Sequence, residues 1–76
     1  MSDHPFITDY ARHKMAQLGI SESTVMDVYY HGTDVKLGSG ARAMVRTYDS
    51  QGMTIGAMYK LDNYTGRYLI TSVWKN

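Results

Sequence analysis

ARAMVRTYDSQGMTIGAMYKLDNYTGRYLITSVW, residues 41–74, is the stretch on which the fold turns. Two kinds of side chain alternate along it, the period of a half-buried β-strand. Three strands are expected: Ala41 to Asp49, Met53 to Leu61 and Arg67 to Trp74. Turn lengths then decide which residues meet. Ser50-Gln51-Gly52 reads as a three-residue hairpin loop with Gly52 left-handed, which sets Val45 opposite Ala57 and Arg46 opposite Gly56. A five-residue loop from Asp62 to Gly66 sets Leu61 opposite Arg67 and Tyr59 opposite Leu69. One face is then Ala43, Val45, Ile55, Ala57, Tyr59, Leu69 and Val73, small enough to accept helices. The other is Arg42, Met44, Arg46, Tyr48, Gly56, Met58, Lys60, Tyr68, Ile70 and Trp74. Three cations among large aromatics are costly to bury without anionic partners, so this face is expected to meet solvent or a ligand.

Upstream the period is helical. Thr8 is a good N-cap with Asp9 in the first turn, and Ala11, Met15 and Leu18 recur on one side. Gly19 suits the left-handed C-terminal position, which predicts a helix from Asp9 to Leu18. Ser21 caps a second helix with Val25, Val28 and Tyr29 inward, and Gly32 stops it. The short link Gly19-Ile20-Ser21 makes the helices a compact pair. Asp34 to Leu37 reads as a short first strand and Gly38-Ser39-Gly40 as a turn. The expectation is an α+β fold: two N-terminal helices packed on one face of a mainly antiparallel four-stranded sheet (ααββββ). Residues 1–76 form a single domain, with 1–7 an N-terminal arm, 8–31 the helical pair and 34–74 the sheet.

Composition narrows the classes. Seventy-six residues at 43% hydrophobic suit one small globular domain. With no cysteine, neither a disulfide nor a thiolate metal site is available. The net charge of +1 offers no global basic excess, so nucleic-acid binding would need a local patch. No apolar run approaches the ~20 residues of a membrane span. The start, Met1-Ser2-Asp3-His4-Pro5, lacks the pattern of a secretory signal, and a cytoplasmic protein is expected. His4, His13 and His31 are too scattered for a zinc site, and no metal or cofactor is expected.

Tyr-Ala-Arg-His-Lys-Met (Tyr10 to Met15), then Gly-Ile-Ser (Gly19 to Ser21), and the closing strand Leu-Ile-Thr-Ser-Val-Trp (Leu69 to Trp74) form a recognisable series. Over residues 6–74 it resembles the domain-of-unknown-function 4258 family, which is akin to the RelE-like toxins. The resemblance implies a metal-independent ribonuclease fold with a basic and aromatic sheet face. Tyr10 stands where the family has His, Lys14 where it has Arg, and Leu18 replaces the Arg before Gly19.

RNA supplies its own nucleophile, the 2′-hydroxyl, so a protein need only hold the phosphate, neutralise charge and move protons. On this reading Arg46 and Lys60 meet the phosphate, and Tyr10 and Lys14, one helical turn apart, complete the catalytic set. Arg42, Tyr48, Tyr68 and Trp74 bind the substrate, the aromatics by stacking on unpaired bases. The alternative is a non-catalytic protein-interaction module using Met44, Met58, Ile70 and Trp74 on the same face. Its partner would be a second copy in a homodimer, or a small protein as in a toxin–antitoxin pair.

Overall fold

The computed structural model describes residues 4–48 and 52–76. The chain runs β1 (Phe6–Ile7), α1 (Asp9–Leu18), α2 (Glu22–His31), β2 (Thr33–Lys36), β3 (Arg42–Tyr48), β4 (Met53–Asp62) and β5 (Arg67–Lys75). The class is α+β, but the sheet has five strands among the described residues, in the order β1-β5-β4-β3-β2. The added strand comes from the expected arm: β1 lies parallel to β5, with Phe6 opposite Leu69 and Ile7 opposite Ile70. Two residues carry no readable period. Ile7 is drawn in by burial, being 2% exposed in the core. All other ladders are antiparallel. No helix among the described residues is long and apolar enough to cross a membrane.

The helices begin and end where local chemistry places them. Thr8 accepts from the Ala11 amide through its hydroxyl and donates to the Ile70 carbonyl, so one side chain caps α1 and ties it to β5. Gly19 takes the left-handed conformation, φ 69°, at the C-terminus of α1. Ser21 accepts from the Thr24 amide at the start of α2. Gly32 ends α2 for a different reason, close approach. A Cβ there would lie 2.5 Å from the Val28 carbonyl oxygen and 2.9 Å from that of Val45.

Both helices cover one face of the sheet. Ala11, Met15, Ile20, Val25 and Val28 pack on Ile7, Ile55, Ala57, Ile70 and Val73 to form the core. The expected strand register is off by one residue between β3 and β4. Tyr48 pairs with Met53, Arg46 with Ile55, Val45 with Gly56 and Arg42 with Tyr59. Most of the expected three-residue loop, and Asp49, fall on residues 49–51, outside the described residues.

The β4–β5 hairpin departs twice. Asp62 stays in the ladder opposite Arg67, so Leu61 meets Tyr68, Lys60 meets Leu69 and Tyr59 meets Ile70. The turn shortens because Asp62 folds it: its carbonyl accepts from the Gly66 amide and its carboxylate from the Tyr64 amide and the Thr65 hydroxyl. Gly66 closes the turn at φ 72°. A bulge between Tyr59 and Met58 then leaves Thr71 unpaired, and the ladder resumes with Met58 opposite Ser72 and Ala57 opposite Val73.

Residues directly opposite share a face, so these shifts redistribute side chains. Ile55, Ala57, Tyr59 and Val73 face the helices as expected. Ala43, Val45 and Leu69 do not; Arg42, Met44, Arg46, Tyr48, Tyr68 and Ile70 take the helix side instead. Ile70 is wholly buried there. Gly56, Met58, Lys60 and Trp74 lie on the helix-free face. The Trp74 ring lies across Gly56, where a Cβ would come within 2.1 Å of it.

Candidate binding site

The bulge and the unequal strand lengths produce a notch in the sheet. β3 begins at Arg42, opposite Tyr59, while β4 and β5 continue together to Asp62 and Arg67. Before Arg42 the chain turns back to β2, held by Leu37 N–H to Ala41 and Gly40 N–H to Leu37. Ala41 continues β3 beside Lys60, and the edge of β4 beyond it, at Leu61–Asp62, has no neighbouring strand among the described residues. Beside it lies an open groove of about 790 Å³, lined by Gly40, Ala41, Arg42, Met58, Tyr59, Lys60, Leu61, Tyr68 and Thr71.

One charged cluster reaches its wall through Arg42 and Tyr59. Asp34, on β2, accepts from Arg42 Nη2 at 2.8 Å and from the Tyr59 hydroxyl at 2.9 Å. The Arg42 hydrogen bond, then that of Tyr59, holds the Asp34 carboxyl below its usual range. The same bond to Asp34 pushes Arg42 up. Burial pushes the Tyr59 phenol up, so it is a neutral donor at neutral pH. Lys60, by contrast, has no carboxylate within ion-pair distance among the described residues. Aromatic rings extend the wall: Tyr68 meets Tyr59 edge-on at 5.7 Å and Tyr29 meets Tyr59 at 6.2 Å.

A second cluster of the same type lies under α2. Asp27 accepts from Arg46 Nη1 at 3.0 Å and from the Tyr48 hydroxyl at 2.7 Å. Burial, then the bond to Asp27, pushes the Tyr48 phenol up. The Arg46 guanidinium also lies 5.4 Å from the centre of the Tyr48 ring.

The expected site is therefore divided. Arg42, Lys60 and Tyr68 come together around the groove. Arg46 and Tyr48 are engaged by α2, and Arg46 lies on the opposite face from Lys60. This corrects the expected catalytic pairing of Arg46 with Lys60 on a single open face, and its cause is the one-residue shift of β3. Trp74 lies on the helix-free face across Gly56. Tyr10 is exposed on α1 and Lys14 is half-buried there; neither lines the groove. The expected apolar patch is split as well. Met58 and Trp74 are on the helix-free face, whereas Met44 and Ile70 are on the helix side.

Tyr59 and Leu61 line the groove, and Asp34 binds two of its lining residues; none of the three is among the expected site residues. By sequence, Tyr59 belongs to the buried face and Asp34 to the start of a short strand. The available signal was the Gly38-Ser39-Gly40 turn immediately before β3, which keeps that strand from following β4 to its end. No group of three or more His, Asp or Glu side chains suited to a metal ion occurs among the described residues. Comparison with family models, with curated proteins and with solved structures finds no match to this chain.

Proposed function

We propose that this protein is a non-catalytic binding module whose ligand occupies the groove at the free edge of β4. The observation that supports this is the convergence of Arg42, Lys60, Tyr59 and Tyr68 beside a strand edge that has no neighbour among the described residues. Cations and aromatics around a mostly apolar cleft are the makings of recognition. The ribonuclease reading needs Arg46 and Lys60 to converge on one phosphate and a group poised to move a proton. Arg46 is committed to Asp27 on the opposite face from Lys60, and the raised phenols of Tyr48 and Tyr59 are donors, not bases.

The test is incubation of the protein with single-stranded RNA in excess chelator, beside Arg46→Ala and Lys60→Ala. The expected outcome is intact RNA in all three. Cleavage by the unmodified protein that both substitutions abolish would overturn the reading and restore the toxin-like ribonuclease.

A further inference from the structure

Resting on that reading, we propose that the occupant of the groove is an extended peptide segment carrying adjacent carboxylates. It pairs with the free edge of β4, and one of its carboxylates takes the place of Asp34 on Arg42 and Tyr59.

Three observations lead there. First, the groove runs along unpaired main chain. Backbone N–H and C=O groups are obligatory hydrogen-bonding groups, and a free strand edge is a template for an added strand. Leu61–Asp62 spans about 7 Å, enough to pair with two residues of an incoming strand.

Second, the site already holds a carboxylate. Arg42 and Tyr59 grip one oxygen each of Asp34, at 2.8 and 2.9 Å. That geometry shows two donors placed to hold one carboxylate. The carboxylate comes from β2, a four-residue edge strand whose residues are exposed except for half-buried Val35. Such a contact can be exchanged without opening the core.

Third, register specifies adjacent acids. With Ala41 continuing β3 beside Lys60, an incoming strand on that line sets its first residue opposite Leu61, on the Arg42 side, and the next opposite Asp62, on the helix-free side that Lys60 shares. Neighbouring residues of a strand point to opposite faces. Two consecutive acidic residues therefore reach the two cations, one from each face of the sheet. A polyphosphate strand is disfavoured at the same place, because it has no peptide N–H and C=O groups to pair with a strand edge.

The probe is a capped hexapeptide, Thr-Val-Glu-Glu-Val-Thr, titrated against the intact protein while backbone amides are followed by NMR. Its counterpart with the two glutamates replaced by lysines, and an oligouridylate, are run beside it. The acidic peptide is expected to shift the amides of Lys60, Leu61 and Asp62 saturably, more weakly as salt rises. Lys60→Gln should weaken binding about tenfold, while Asp34→Asn, by freeing Arg42, should tighten it several-fold. Loss of a merely structural contact would not raise affinity. Melting curves verify that both exposed substitutions leave the fold intact. Unmoved amides with the acidic peptide, or weaker binding by Asp34→Asn, overturn the inference. If only the lysine peptide or the oligouridylate moves these amides, the inference fails while the groove remains a binding site. RNA cleavage in the chelator assay overturns the underlying reading instead.

Discussion

Two clusters in this domain share one chemistry and differ in setting. At one end of the helix-side face, Asp27 binds Arg46 and Tyr48; at the other, Asp34 binds Arg42 and Tyr59. Each is an aspartate holding an arginine and a tyrosine from the sheet. Asp27 belongs to α2, whose Val25 and Val28 are wholly buried, so its carboxylate is delivered by a packed element. Asp34 belongs to a short edge strand beside a groove. The first cluster joins helix to sheet. The second caps an unfilled place in the sheet. The lesson is that an ion pair's role follows from what holds its partners and not from the pair itself, since exposed pairs contribute little by themselves.

The sharpest way to break this comparison is through the core. Val28→Ala removes packing from the buried side of α2 and should lower stability by about 2 kcal/mol. For a domain of this size that is a drop of about 10 °C in melting temperature. The Arg46 and Tyr48 signals should broaden or shift in NMR spectra while those of Arg42 and Tyr59 hold still. Equal responses at both clusters would mean that Asp34 is as firmly seated as Asp27.

The next largest effect separates the two aspartates directly. Asp27→Asn weakens two charge-assisted hydrogen bonds at side chains that are more than one-third exposed, so a loss of about 1 kcal/mol is expected. Asp34→Asn should lower the melting temperature by less than Asp27→Asn does, because its cluster is open to water on the groove side. The reverse order would assign the structural role to the groove cluster.

The smallest effect is on acid titration. The folded protein holds the Asp34 carboxyl below its usual range, chiefly through Arg42. A depressed acid contributes stability that is fully present above its unfolded value and lost as pH falls through its folded value. The Asp34 side-chain carbon resonance should therefore titrate at more acid pH than an ordinary aspartate. Arg42→Gln should return it towards the usual range, and a titration already in that range in the unmodified protein would refute the contact.

Both helices were legible from the sequence to the residue, because caps act over three or four positions: Thr8, Ser21 and Gly19 do locally what their chemistry allows. The four longer strands were found within a residue at each end, since alternation is also local. Half of the site was not legible. Lys60 and Tyr68, expected with Arg42 on one open face, do meet it, but around a notch that joins two faces. Arg46, expected with them, lies beneath α2. One residue of register between β3 and β4, where Tyr48 meets Met53, separates the two outcomes. Asp62 makes a separate shift between β4 and β5 by joining the ladder while folding the turn.

The order of side chains determined by itself that this chain has two capped helices followed by strands with two chemically distinct faces. Periodicity and capping need only near neighbours. Tertiary structure decided which strand's face joined which, that Phe6 and Ile7 would pair with Leu69 and Ile70 some sixty residues away, and that β4 would outrun β3 to leave a groove. Those outcomes depend on packing between distant segments, where burying Ile7 and Ile70 outweighs any preference that a turn or a single strand can express.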